Sequence, residues 1–220
     1  MLIEMNWYKT AQERDLWKEI ELYGPGREGL PPEEFLSEYF PESRISRDRR
    51  VRDYMRSIYF RPRYSWSVPT KKAIAEIKAF VGNDTVLEIG AGLGLWAKLM
   101  QDAGINVTAT DSPKKSDKGE YLQGEQFTGV EQIDHIDALD RYHDKKILFL
   151  CWPPYDTSLA YESVEYFTGD KVIFIGEGSG GCTGCFNFYN SLDENWTKVK
   201  EIEIPQWDGI HDRMTFWARK

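Results

Sequence analysis

The chain is poor in cysteine and histidine, with three of each, and it has no surplus of positive charge. Nor does any apolar run approach the ~20 residues needed to cross a bilayer. Three cysteines cannot form an all-paired disulfide framework, so a reducing compartment, the cytoplasm, is expected. Cys182-x-x-Cys185 lacks the second half of a zinc site and Cys151 is a poor third ligand, so no metal is expected. The opening Met-Leu-Ile-Glu-Met-Asn-Trp has neither the basic region nor the apolar stretch of a secretory leader. A net charge of -8 argues against indiscriminate nucleic-acid binding by the whole surface. Internal repeats and low-complexity tracts are also missing. What remains is a 220-residue chain, enough to bury ~70% of its unfolded surface in one principal domain.

The charge is unevenly spread. Arg44, Arg47, Arg49, Arg50, Arg52, Arg56, Arg61 and Arg63 face only Asp48 and Asp53 in the same stretch, giving +6 locally and -14 elsewhere. Screening over ~8 Å lets such a patch act apart from distant acids. Arginine suits bidentate phosphate contacts, so a groove for RNA or DNA is one reading of Arg44–Arg63. The other is a solvated helix face paired with Glu33, Glu34, Glu38 or Glu42.

Residues 1–69 read as a helical region. Trp7–Tyr23 has helical apolar spacing and stops at Gly24-Pro25-Gly26. Pro31 and Pro32 suit the start of a helix through Tyr39, Ser46 can cap one running to about Tyr59, and Pro62 interrupts the next stretch. Residues 70–220 then alternate. Thr70 caps a helix to about Phe80. Strands are expected at Thr85–Ile89, Ile105–Thr110, Gly129–Ile133, Lys146–Leu150 and Lys171–Ile175. Helices are expected at Leu95–Ala103 and Ser158–Phe167, and a polar loop over 112–128. That alternation predicts a mostly parallel sheet flanked by helices. Thr197–Ile204 and Arg213–Ala218 predict a terminal antiparallel hairpin.

The densest signal is Val86-Leu87-Glu88-Ile89-Gly90-Ala91-Gly92-Leu93-Gly94, a buried-strand run ending in an acid and three alternate glycines before a helix. Glycine at that density lets the chain turn sharply and lets a ligand approach the main chain. The helix behind aims free N–H groups at whatever sits there. A dinucleotide turn needs Gly-x-Gly-x-x-Gly, and its pyrophosphate would be repelled by Glu88. Acid-x-Gly-x-Gly-x-Gly instead resembles the first motif of the class I S-adenosylmethionine-dependent methyltransferases, whose cofactor carries an ammonium and a sulfonium cation. Asp111 follows the second strand 21 residues after Gly90 and suits the two ribose hydroxyls of either cofactor.

The resemblance implies more. A Rossmann-like class I sheet ends in an antiparallel hairpin. Glu88, Gly90, Ala91, Gly92 and Gly94 would hold the methionine end of the cofactor and Asp111 the ribose. Asp137-Ala138 matches the pair that often meets the adenine amino group, with Asp134 as a rival. Cys151-Trp152-Pro153-Pro154-Tyr155 resembles the Asp/Asn/Ser-Pro-Pro-aromatic motif of amino-group methyltransferases. There the leading polar side chain and a proline carbonyl accept from the target amine, and the aromatic stacks on the target base. Trp152 departs from it, being a donor with no acceptor. The loop with His211 and Arg213 offers a proton acceptor and an anion clamp. Arg63–Thr70, Ile175–Gly178, Gly181–Thr183 and Pro205–Arg213 add to the likeness, which extends over about residues 60–220 to a little-characterised group of bacterial and fungal proteins of this class. The expected activity is methyl transfer from S-adenosylmethionine, with nucleic acid as acceptor and Trp152, Pro153, Pro154, Tyr155, His211 and Arg213 facing it. Two other readings stay open. One is a catalytically inactive module that binds RNA or protein in a larger assembly, and the other is a dinucleotide oxidoreductase.

Overall fold

A computed structural model describes residues 14–27, 29–40, 48–112 and 122–220. Four helices precede the sheet: α1 (Leu16–Tyr23), α2 (Glu33–Tyr39), α3 (Arg49–Arg63) and α4 (Lys71–Val81). Then come β1 (Val86–Ile89), α5 (Leu95–Asp102), β2 (Val107–Asp111), β3 (Val130–Gln132), α6 (His135–Arg141), β4 (Ile147–Cys151), α7 (Leu159–Tyr166), β5 (Lys171–Gly176), α8 (Phe186–Asn195), β6 (Trp196–Ile202) and β7 (Arg213–Arg219). The sheet order is β3-β2-β1-β4-β5-β7-β6. Five strands run parallel, while β7 pairs antiparallel with both β5 and β6. This is the Rossmann-like sheet with a terminal antiparallel hairpin that the sequence predicts.

The central strands are apolar on both faces because both faces are covered. Leu87, Ile89, Leu148, Leu150, Val172 and Phe174 pack on one side with Leu139, Ala160, Val164, Phe188 and Leu192. Val86, Ile147, Phe149, Ile173 and Ile175 point the other way, into one core with Ile74, Ile77, Trp96, Leu99 and the α1–α3 residues Ile20, Tyr23 and Phe60. The helical region therefore shares its core with the sheet. The strand order reverses between β1 and β4, so their carboxyl ends open the crevice where ligands of such sheets bind.

Several boundaries differ from expectation, each for a local reason. The cap of α3 is Asp48, whose side chain accepts from Arg50 N–H, and the expected cap Ser46 lies outside the described residues, as do residues 7–13 of the first helix. Pro62 sits inside α3 rather than interrupting it. It falls in the last turn, where Arg61 Nε donates to Ser57 O and Arg63 Nη1 to Tyr59 O. Pro62 costs the helix only the bond to Ile58 O, and the two arginine side chains tie the turn on either side of it. Helices α6 and α8 lie in stretches where no helix is predicted. Asp134 caps α6, and α8 buries Phe188, Ser191 and Leu192 at helical spacing. Residues 113–121 of the polar loop are not described.

Candidate functional site

The crevice has two walls, one after β1 and β2 and one after β4, β5 and the hairpin. At the first wall Gly90, Gly92 and Gly94 all hold positive φ, at 74°, 58° and 78°. A Cβ at Gly90 would meet nothing within 4 Å, whereas one at Gly94 would lie 2.8 Å from Val130 Cγ2. Gly94 thus serves helix packing, and Gly90 leaves room above the turn. The turn is pinned from β2: Ala91 N–H donates to Thr110 O (3.0 Å) and Gly92 N–H to Asp111 Oδ2 (2.6 Å).

Glu88 lies under this turn and is 1% exposed. Its carboxyl accepts from Ala97 N–H in the first turn of α5, while Oε2 has no hydrogen-bond partner. Burial first, then the charge of Asp111, push its pKa up to about 8. Burial also raises Asp111, against the N–H groups of Gly92 and Ser112. A buried carboxyl whose charge is disfavoured by burial and by Asp111, with Asp111 beside the turn, suits a ligand with a cation at one end and paired hydroxyls nearby. Asp134 and Asp137 both lie past β3. Asp134 Oδ1 accepts from Ile136 N–H (3.2 Å), and Asp137 is exposed in the first turn of α6 with Ala138 buried behind it.

The second wall centres on Trp152, the one non-glycine with positive φ (55°) among the described residues. Such backbone strain costs about 1–2 kcal/mol and needs support. Trp152 N–H donates to Ile175 O (2.8 Å), its indole Nε1 donates to Asp212 Oδ2 (2.8 Å), and its ring stacks on Trp66 with centroids 5.0 Å apart. The guanidinium of Arg61 covers the Trp66 ring at 4.5 Å. Pro153 O accepts from Gly184 N–H (3.0 Å) and Tyr155 is 58% exposed. Glu177 ties the loops together: Oε2 accepts from Cys182 N–H (2.8 Å) and Oε1 from His211 N–H (3.0 Å). Burial works to raise this carboxyl, but those N–H groups hold it below the usual range. Behind Trp152, burial pushes the Cys151 thiol up, reinforced by the charges of Glu88 and Asp212.

Trp152, Pro153 and the His211 backbone thus meet in space. Arg213 does not join them, because its guanidinium pairs with Glu203 (3.1 Å) and Glu201 (3.6 Å) across the hairpin. Three residues absent from the sequence-based site belong to this wall: Trp66, Glu177 and Asp212. Each lay in a segment that the likeness covers, Arg63–Thr70, Ile175–Gly178 and Pro205–Arg213, without being singled out there. The described arginines are also redistributed. Arg56 is buried against Asp53 and Gly29 O, and Arg61 and Arg63 cover aromatic rings, so these three serve packing within the chain. Arg49 and Arg50 are exposed, while Arg44 and Arg47 lie outside the described residues. Among the described residues, no group of three His, Cys, Asp or Glu is placed to hold a metal, and no helix is long and apolar enough to cross a membrane.

No family model and no curated sequence matches the chain. Solved structures superpose on about 70% of the chain at low identity. An NADB-Rossmann superfamily protein from Streptococcus agalactiae superposes with a TM-score of 0.47 at 8% identity, over 70% of each chain. An uncharacterized Listeria monocytogenes protein gives 0.49 at 9% identity, over 69% of each chain. A candidate tRNA (m1A22) methyltransferase from Streptococcus pneumoniae, solved with S-adenosyl-L-methionine, gives 0.47 at 12% identity, over 69% of this chain and 73% of its own.

Proposed function

We propose that the chain is a class I S-adenosylmethionine-dependent methyltransferase acting on nucleic acid. One observation carries this reading: a fully buried carboxyl with a free oxygen stands beneath a bend of three left-handed glycines, beside a second carboxyl. An ammonium fits the free oxygen of Glu88, which can ionise to pair with it, whereas a pyrophosphate would find no counter-charge there. Gly90, Ala91, Gly92 and Gly94 would line the methionine end. Asp111 would accept from the ribose hydroxyls, and the segment from Asp134 to Ala138 would meet the adenine.

When bound, the cofactor supplies an activated methyl group. The chain's own work is then positioning, which can contribute ~7–11 kcal/mol. Trp152, Pro153, Pro154 and Tyr155 would wall the acceptor side, with the exposed Tyr155 as a stacking face for a base. His211 stands beside them on the exposed loop. Arg49 and Arg50 would contact phosphates. The S. pneumoniae structural neighbour, named for a tRNA activity, makes RNA the acceptor to try first. Three free cysteines fit a cytoplasmic setting.

Calorimetry and thermal shift with S-adenosylmethionine, S-adenosylhomocysteine and a nicotinamide dinucleotide test this reading. Heat and a raised Tm with the first two alone are expected. A response to the dinucleotide alone would make it an oxidoreductase, and silence with all three would leave the inactive-module reading. A tritium-transfer assay with RNA, DNA and protein pools then finds the acceptor, with label expected in RNA.

A further inference from the structure

The Pro-Pro turn after β4 lacks the acceptor that its leading position usually supplies, because Trp152 brings only a donor. Its proline carbonyl is also engaged, since Pro153 O accepts from Gly184 N–H. A carboxyl from elsewhere stands at the same place. Asp212 enters from the hairpin just before β7, is 1% exposed, and gives Oδ2 to the Trp152 indole. Oδ1 has no hydrogen-bond partner. A buried acceptor left unmatched costs about 1–3 kcal/mol and calls for a reason. Its neighbour Trp152 holds a strained backbone at the same rim, as functional sites often do.

Resting on the methyltransferase reading, we propose that Asp212 is the catalytic residue that accepts a hydrogen bond from the methyl acceptor and takes its proton, and that the acceptor is the exocyclic amine of a nucleobase. In the step, the amine nitrogen forms the new N–C bond. The S–C bond of the methyl donor breaks with its electron pair left on sulfur. The proton on the now cationic nitrogen passes to Asp212 Oδ1 and from there to water. An amine needs only a weak base, because methylation makes its own proton acidic. A hydroxyl would need a far stronger one, the ordinary pKa of water being about 15.7. Burial raises Asp212 to about 6, with the indole of Trp152 and His211 opposing and Glu177 reinforcing, and the buried Cys151 thiol nearby. That is too weak for a hydroxyl and sufficient for an N-methylated amine. The burial of Oδ1 requires the rim over it to shift when substrate enters. The contacts that would have to yield are those from Gly184 to Pro153, from His211 to Glu177 and from Trp152 to Asp212.

The test uses the full chain saturated with S-adenosylhomocysteine, so that its nucleoside site is filled. CMP and UMP are then titrated calorimetrically, since position 4 presents an exocyclic amine in the first and a carbonyl in the second, with N3 changing from acceptor to N–H donor. CMP is expected to bind about tenfold tighter at pH 7.5, and the preference should fade below about pH 6 as Asp212 takes its proton. Asp212→Asn keeps an oxygen for the Trp152 indole. It should leave S-adenosylhomocysteine affinity unchanged and the chain folded while erasing the preference. Equal binding of CMP and UMP, no binding of either, a preference constant with pH, or a preference intact in D212N would each overturn the proposal. The pH series needs no variant and decides the matter if D212N fails to fold. Failure of S-adenosylhomocysteine itself to bind would sink the methyltransferase reading, which is a separate result.

Discussion

Glu88 and Glu177 are two buried carboxyl groups at opposite walls of one crevice, and they have opposite characters. Glu177 spends each oxygen on a backbone N–H and stays readily ionised. Glu88 has one N–H to accept, one oxygen to spare and Asp111 nearby, so its charge is disfavoured. The first is a finished joint between two loops. The second is an incomplete pair, which a positively charged ligand would complete. Burial alone does not separate a structural carboxyl from a binding one; the count of partners does.

The largest effect should come from pH. Glu88 binds its proton more tightly folded than unfolded, so stability is fully present below about pH 4.5 and falls as pH rises toward about 8. The loss is at most about 5 kcal/mol at 1.36 kcal/mol per pH unit. Urea titrations from pH 5 to 8.5 should show that slope in the unliganded chain; in Glu88→Gln the profile should be flat above about pH 6.5, the slope below that belonging to Asp212. A wild-type profile without the slope would erase the contrast with Glu177.

Next come the glycines on the Glu88 side. Gly94→Ala would drive a Cβ into Val130 and Thr128 at positive φ and should cost about 2–4 kcal/mol by denaturant unfolding. Gly90→Ala has open space and should cost only about 1–2 kcal/mol while weakening S-adenosylmethionine sharply. Equal losses of stability in both variants would remove the distinction between a packing glycine and a site glycine. Glu177→Gln should cost about 1–2 kcal/mol near neutral pH. Its pH sign is the reverse: the contribution of Glu177 is present above about pH 4.5 and is lost as pH falls through its lowered value. Thermal melts from pH 3 to 7 check this. Smallest of all, the pair Arg49→Ala and Arg50→Ala should move stability by no more than about 0.5 kcal/mol. RNA affinity should lose up to about two units of salt slope, read by filter binding across salt concentrations.

The first wall was legible because it is contiguous. Strand, acid, glycines and helix follow one another, and each residue type is dictated by its own backbone. The sheet was legible for the same reason, down to the antiparallel hairpin. The second wall was legible only in pieces: Trp152 stood out in its Pro-Pro motif, but Trp66, Glu177 and Asp212 come from three other segments and meet it only through the strand order. The Arg-rich stretch misled in a different way. Arginine reads as surface charge, yet Arg56, Arg61 and Arg63 bury their stems and lay their guanidinium groups on carboxylate, carbonyls and rings. Helix α8 escaped because it follows a glycine-rich loop and has no side-chain cap.

The central claim is that the spare oxygen of Glu88 receives a cation. Isothermal titration of the chain with S-adenosylmethionine at pH 7, in buffers of different ionisation enthalpy, measures it directly. Glu88 is mostly protonated in the free chain at that pH and must ionise to pair with an ammonium, so binding should release close to one proton, and Glu88→Gln should abolish the release. Binding with no proton exchanged, or a release that persists in E88Q, would contradict the account.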